Sequence, residues 1–141
     1  MSEDIKNKFR RVVDEAWNKG NLDALDELHS TGYVEHRPPF PDVVGLDAFK
    51  QAVAGAHLAF PDFHLTVDEL ILEGEKLAVR YAWTGTHSGQ RPTLPIPPTG
   101  KRLTMTGLQI HHVEGDKLIE TWQFADNLGL FQKLGLVPQP R

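Results

Sequence analysis

The hydrophobic period of the chain changes at Pro61, and this change constrains the fold more than any other feature. Before it, apolar residues recur at helical spacing in three segments, residues 3–18, 22–28 and 46–60. After it, they follow the period of strands in four segments, residues 63–72, 77–86, 103–113 and 118–126. Helices followed by antiparallel strands predict an α+β fold, with the helices wrapped on one face of a curved sheet around an interior pocket.

Two tight turns predict which strand residues share a face. Gly115 and Asp116, as the turn residues of the second hairpin, pair Glu114 with Lys117. Strand alternation then puts five candidate site residues on one face: Gln109, His111, Trp122, Phe124 and Asp126. The first hairpin turns at residues 74–75. Its predicted register places Tyr81 opposite Asp68 and Trp83 opposite Thr66, on one mainly apolar face. Its Arg80 falls on the opposite face, across from Glu69.

Asp126 is the candidate catalytic group. Its predicted same-side neighbours are aromatic, and a carboxyl that loses solvation among aromatic rings is suited to general acid/base work. Asp is also a preferred N-cap residue, so a cap for the helix predicted from Leu128 is an open alternative. His111 is placed to bind that carboxyl or a substrate carbonyl, and its alternative is a half-buried histidine bonded to a backbone carbonyl.

Two further residues are candidates for substrate binding. Trp83, near the end of a predicted strand, is placed to line the mouth of a pocket, although a core position is the alternative. His36 adjoins the proline-rich segment 38–41 and is a second polar candidate, or else a solvated loop residue. The segment 88–101 is longer than a hairpin needs and rich in proline, which favours a functional loop such as a lid.

Composition excludes several classes of protein. The 141 residues fit one domain, residues 1–141, with a net charge of −4 and no cysteine. No basic block exceeds Arg10 and Arg11, so neither nucleic acid nor a membrane is expected as a partner; the expected ligand is small and apolar. The polar first residues and the absence of a long apolar run predict a cytoplasmic protein. No metal-ligand spacing or nucleotide-binding motif occurs, so neither a metal nor a cofactor is expected.

Several segments resemble one protein family, in the order in which they occur. They are GTHSG at 85–89, PPTGK at 97–101, EGDKLIETW at 114–122, DNLGL at 126–130 and QKLG at 132–135. Together they resemble the SnoaL-like polyketide cyclases of the NTF2-like superfamily, over about residues 5–136. Each motif alone is weak, and the ordered set is specific for the family more than for any one activity.

The resemblance implies a cystatin-like cone with a deep apolar pocket, usually in a homodimer. It implies that Asp126 acts as general acid/base in an intramolecular aldol condensation that closes a ring of an aromatic polyketide ester. A histidine and a glutamine on the preceding strand line that site in the family, and His111 and Gln109 match them. The reaction would need neither metal nor cofactor, with both side chains holding the developing oxyanion.

Other activities remain open on the same cone. An epoxide hydrolase needs an arginine between two aspartates, and Arg80 is predicted on the wrong face. A ketosteroid isomerase needs a tyrosine next to an aspartate, for which Tyr81 opposite Asp68 is the candidate. A non-catalytic domain that binds a metabolite or associates with a partner is the alternative from a different class.

Overall fold

The structure is a computed structural model that describes residues 4–89 and 96–138. Its helices are α1 (Ile5–Val13), α2 (Leu46–Ala59) and α3 (Asn127–Lys133), with a π-helical turn (Asp14–Asn18) and a 3₁₀ helix (Leu22–Glu27) after α1. Its strands are β1 (His29–His36), β2 (Val43–Val44), β3 (His64–Glu73), β4 (Lys76–Thr86), β5 (Arg102–Glu114) and β6 (Lys117–Ala125).

The six strands form one curved sheet that does not close on itself, in the order β2-β1-β6-β5-β4-β3. Neighbouring strands are antiparallel except β1 and β6, which run parallel. Strand β1 therefore joins the sheet beside the last strand of the chain, and the two long hairpins supply the rest. The predicted α+β fold is confirmed. In the described parts of the chain, no helix is long and apolar enough to cross a membrane.

The helices bury the faces that their apolar spacing predicts. Asp4 caps α1 by accepting a hydrogen bond from the Lys6 N–H at 2.7 Å, and Phe9 and Val12 are buried on the inner side of the helix. In α2 the buried side chains recur at helical spacing: Leu46, Phe49, Val53 and Ala56. Burial of each large apolar side chain contributes about 1.5–3 kcal/mol, so these faces hold the helices against the sheet.

The hairpin of β3 and β4 follows the predicted register only near its turn. Glu69 lies opposite Arg80 as predicted, and Arg80 is exposed on the outer face. Beyond this pair the register shifts by one residue at Asp68, so Tyr81 lies opposite Val67. The predicted pairing of Tyr81 with Asp68 is therefore wrong, because a β-bulge adds one residue to β3 and reverses the faces of everything beyond it.

The hairpin of β5 and β6 departs from its predicted register in the same way. Glu114 pairs with Lys117, but the register then shifts, leaving Ile119 as the extra residue. His111 consequently lies opposite Thr121, and Gln109 lies opposite Gln123. Two predicted neighbours of His111, Trp122 and Phe124, are on the other face of the sheet, so the predicted grouping is wrong. The physical reason is the second β-bulge, which changes side-chain parity within the strand.

The two ends of the predicted functional loop are joined by backbone hydrogen bonds. The His87 N–H donates to the carbonyl of Lys101 at 2.8 Å, and the Gly100 N–H donates to the carbonyl of His87 at 2.8 Å. These bonds extend the pairing of β4 with β5 beyond its last ladder residues. Residues 90–95, the middle of the predicted lid, lie outside the described residues.

Candidate active site

The concave side of the sheet and the helices enclose a cavity of about 130 Å³. Its walls are largely aromatic: Phe9, Trp17, Phe49, Phe60, Phe63 and Trp83. Trp83 was predicted to bind substrate, and it stands in this wall with its ring 4.9 Å from that of Phe60. The lining suits an apolar, ring-shaped ligand.

A row of hydrogen-bonded polar side chains crosses the floor of this apolar cavity. The Tyr33 hydroxyl donates to Thr121 Oγ1 at 2.6 Å, and the same oxygen lies 2.6 Å from His111 Nδ1. On the other side of the imidazole, His111 Nε2 lies 2.9 Å from Gln109 Oε1. Gln109 Nε2 donates in turn to Gln123 Oε1 at 2.7 Å. Five residues on β1, β5 and β6 thus act as one network.

The network defines the protonation of His111. Burial, with a smaller contribution from the nearby His29, lowers the pKa of His111 to about 3, so the ring is neutral. Thr121 Oγ1 accepts the hydrogen bond from Tyr33 and can donate its own hydroxyl hydrogen to His111 Nδ1, which leaves the ring hydrogen of His111 on Nε2. That hydrogen is donated to Gln109 Oε1, so the amide nitrogen of Gln109 is turned toward Gln123.

His29 is a second buried histidine on the cavity wall. Its Nδ1 donates to the carbonyl of Leu25 at 3.1 Å, and its ring lies 4.5 Å from that of Tyr33. Burial lowers the pKa of His29 to about 4, so this ring is also neutral. The cavity therefore holds two neutral imidazoles in opposite tautomers.

Glu35 is the carboxyl inside the cavity, and sequence reasoning missed it. It is only 6% exposed and lies on the inner face of β1 with Tyr33, opposite Thr121. Burial raises its pKa to about 7, against the opposing effect of the Arg37 charge. Among the described residues, no group forms a hydrogen bond with its side chain. The signal in the sequence was alternation, since Glu35 shares the parity of Tyr33 and His36 does not.

Tyr81 lies across the sheet because Gly107 gives it room. Gly107 is directly opposite Tyr81, and a Cβ at that glycine would lie 2.4 Å from the Tyr81 hydroxyl oxygen. Burial raises the pKa of Tyr81, and the charge of Glu35 raises it further. The phenol hydroxyl is thus within electrostatic reach of the Glu35 carboxyl, and both side chains line the same cavity.

Asp126 lies at the end of β6 outside the cavity. Its side chain is exposed, and its Oδ1 accepts a hydrogen bond from the Gly129 N–H at 2.9 Å. The alternative prediction of a helix cap is confirmed. Its neighbours Ala125 and Asn127 line the cavity instead. The catalytic role predicted for Asp126 stays a prediction.

Three other predicted residues cluster on the outer face of the sheet. Trp122 is 46% exposed and Phe124 is 58% exposed, so their predicted place in the pocket is wrong. The β-bulge at Ile119 turns both side chains to the outer face. His36 stacks on Trp122 with ring centroids 4.1 Å apart. Hydrogen bonding to Glu120 and an ion pair with Asp42 raise the pKa of His36. His36 is not among the residues that line the cavity, and its role in substrate binding stays a prediction.

An arginine–carboxylate group also lies on that outer face. Arg80 is 3.5 Å from both Asp68 and Glu69, so one aspartate and one glutamate flank it where an epoxide hydrolase needs two aspartates. The group is exposed and does not line the cavity, so it does not support hydrolase chemistry there.

A curved sheet closed by helices around an apolar cavity is the architecture of the NTF2-like class of cones. The family model for the SnoaL-like polyketide cyclases matches residues 7–134, and the chain belongs to that family. No curated protein matches the chain.

Solved structures of similar proteins cover nearly the whole chain. A candidate polyketide cyclase from Acidithiobacillus ferrooxidans is 28% identical with a TM-score of 0.82, covering 96% of this chain and 97% of its own. IdmH from Streptomyces antibioticus, also a candidate polyketide cyclase, is 27% identical with a TM-score of 0.77, covering 94% and 99%. AclR from Streptomyces galilaeus, a candidate hydroxylase, is 26% identical with a TM-score of 0.81, covering 97% and 84%.

Proposed function

We propose that the chain is a cofactor-independent enzyme acting on a small apolar, polyketide-like ester. It would remove a proton from the carbon next to a carbonyl and use the resulting enolate in an aldol-type ring closure. The observation that supports this proposal is the neutral hydrogen-bonded row on the cavity floor, Thr121, His111, Gln109 and Gln123. Amide N–H groups in apolar surroundings stabilise a developing enolate oxygen without competition from water.

The members of this row have different roles. Gln109 uses one amide hydrogen on Gln123 and keeps a second for the substrate carbonyl. His111 acts on Gln109, because its Nε2–H fixes which end of the amide faces the cavity; it is a positioning residue in this scheme. Trp83 and the other aromatic walls bind the rings of the substrate.

Binding and product analysis together test this function. Aromatic polyketide-type esters are screened for an increase in Tm, and each hit is incubated and analysed by chromatography for an isomer of the same mass. The Gln109→Ala variant should lose product formation, whereas Gln51→Ala, on the exposed side of α2, should keep it. Ligand binding with no product in any case would favour the non-catalytic binding domain.

The proposed assembly is a homodimer formed through the outer face of the sheet. Large apolar side chains lie exposed there on three strands: Ile71, Leu108, Ile110, Trp122 and Phe124. The register links them across strands, since Ile71 pairs with Ala78, Ala78 with Ile110, and Ile110 with Trp122. A continuous apolar surface of this kind is typical of an interface between protein chains.

A further inference from the structure

We propose that Glu35 is the group that takes the proton from the substrate, with the Tyr81 hydroxyl donating a hydrogen bond to the oxygen that becomes negative. This inference rests on the proposed function and gives it a base that the family resemblance had assigned to Asp126. Both side chains line the cavity, and Asp126 does not.

The position of Glu35 makes it available for proton transfer. The side chain is almost fully buried in the cavity lining, and no partner within the described residues forms a hydrogen bond with it. A buried carboxyl without a partner is costly, so such a group is retained where a ligand completes its surroundings. Burial also brings its pKa to about 7, where the ionised and protonated forms coexist near neutral pH.

Charged and titratable groups around Glu35 do not provide a stronger base. His29 and His111 line the same cavity as neutral imidazoles, but burial lowers their pKa values to about 4 and about 3. Arg37 lies just after the end of β1 and favours the ionised form of Glu35. Tyr33 on β1 and Tyr81 on β4 have pKa values raised by burial and by the Glu35 charge, so both phenols stay protonated. Opposite Glu35, β2 presents Val43 and β6 presents Thr121, neither of which is charged.

Tyr81 is positioned as the hydrogen-bond donor by the shape of the sheet. Its hydroxyl oxygen lies over Gly107, whose partner on β6 is Ala125, so two small residues leave the space between Tyr81 and β1 open. Among the described residues no acceptor is hydrogen bonded to the Tyr81 hydroxyl. A substrate carbonyl between the two side chains would accept from Tyr81 while Glu35 faces the neighbouring carbon.

The proton transfer and the ring closure need no reactant besides the substrate. The C–H bond next to the carbonyl breaks and the proton passes to a Glu35 oxygen. The electron pair forms an enolate whose oxygen accepts hydrogen bonds from Tyr81 and from the second amide hydrogen of Gln109. The enolate carbon then attacks a second carbonyl of the same molecule, a C–C bond forms, and Glu35 returns its proton to the new alkoxide. Return of the proton to a different carbon would instead give an isomerase.

The proton-transfer step can be measured with a probe that is not a polyketide. In 5-nitrobenzisoxazole, removal of one C–H proton breaks the N–O bond and releases a coloured cyanonitrophenolate, so the rate reports on the base alone. The wild-type rate should rise with pH through an apparent pKa near 7. Glu35→Gln should lower it by roughly 100-fold or more. Tyr81→Phe should lower it by a smaller factor.

Two matched variants and one direct titration test whether Glu35 is the base. Glu69→Gln, the same change on the exposed outer face, and Asp126→Asn should both keep the wild-type rate. A wild-type rate no faster than buffer, a full rate in Glu35→Gln, or a loss confined to Asp126→Asn would each overturn the assignment. In ¹³C-labelled wild-type protein the Glu35 carboxyl should titrate near pH 7. A pKa at the usual value for glutamate would contradict the assignment, and this measurement does not depend on the folding of any variant.

The same measurements separate this inference from the proposed function. Active proton abstraction from the probe, combined with no cyclisation of any ester, would leave Glu35 as the base and overturn the proposed substrate. Ester cyclisation that survives Glu35→Gln would support the proposed function and overturn the inference.

Discussion

His111 Nδ1 lies 2.6 Å from Thr121 Oγ1, across two strands whose turn predicts a different pairing. The contact exists because the extra residue at Ile119 moves Thr121 to the inner face of β6. Thr121 is fully buried there and also accepts the hydrogen bond from Tyr33. A single β-bulge therefore determines the composition of the polar row in the cavity.

Replacing Thr121 with Val should destabilise the fold strongly. The isosteric change leaves the Tyr33 hydroxyl and His111 Nδ1 buried without partners, at about 1–3 kcal/mol for each group. Thr121→Ser keeps the hydroxyl and loses one methyl group, for about 1 kcal/mol. Urea unfolding at neutral pH measures both free energies. Equal losses in the two variants would show that the hydrogen bonds of Thr121 contribute nothing.

The two cavity histidines should be neutral at about pH 6 and hold opposite tautomers. Burial lowers the pKa of His29 to about 4 and that of His111 to about 3. The hydrogen should be on Nδ1 in His29 and on Nε2 in His111. Nitrogen-15 chemical shifts distinguish these states, and His36, whose pKa is raised, provides a protonated reference in the same spectrum. A protonated His111 under these conditions would contradict the hydrogen-bond network.

Stability should fall with rising pH because of Glu35. Its pKa is about 7 in the folded protein and lies near 4.3 in an unfolded chain, so the unfolded state loses its proton first. The contribution is fully present below about pH 4 and is lost as the pH rises through about 7, by about 4 kcal/mol in total.

Glu35→Gln removes this pH dependence and isolates the contribution. The free energy of unfolding of each protein is measured by urea titration at a series of pH values, and the difference between the two curves should change between pH values near 4 and near 8. Glu69→Gln serves as the matched exposed control. A flat difference curve would mean that Glu35 titrates at its ordinary pKa.

Two substitutions of Asp126 distinguish a helix-capping role from a catalytic role. Asn accepts the same hydrogen bond from the Gly129 N–H, so Asp126→Asn should retain the stability of the protein, whereas Asp126→Ala should lose about 1 kcal/mol. Turnover of a cyclised ester in each variant is measured beside thermal unfolding. With Glu35 as the base, both variants turn over. Abolished turnover in a stable Asp126→Asn protein would restore the catalytic role that the resemblance implies.

A charge on the outer face of the sheet should separate the proposed homodimer. Phe124→Lys places an ammonium group within the exposed apolar surface beside Trp122, where burial against a second copy would be costly. Leu58→Lys, at an exposed site on α2, is the matched control and should keep the assembly of the wild type. Sedimentation velocity measures the mass of each. A wild-type protein that is monomeric would overturn the proposed dimer.

Much of the architecture could be predicted from local sequence. The change of period at Pro61, the two turns at Gly74 and Gly115, and the capping preference of Asp126 are all properties of neighbouring residues, and the structure confirms each. Near a turn the register follows from the turn itself, which is why the pairing of Glu114 with Lys117 was correct.

The tertiary structure decided which residues line the cavity. The bulge at Ile119 reversed the parity of β6, which brought Thr121 and Gln123 inside and left Trp122 outside. The bulge at Asp68 did the same in β3, where Val67 lies opposite Tyr81. No local signal marks these positions, because a bulge is stabilised by packing across the whole sheet.

The sequence by itself determined the α+β class, the two long hairpins after Pro61 and the chemistry that Gln109 and His111 bring to their strand, but not the placing of β1 and β2 before α2. The tertiary structure alone decided that Glu35 is the carboxyl inside the cavity and that Asp126 is outside it. The physical reason is that burial of a charged group is a long-range property: Glu35 loses water only when the helices close over a sheet whose curvature and register are already fixed.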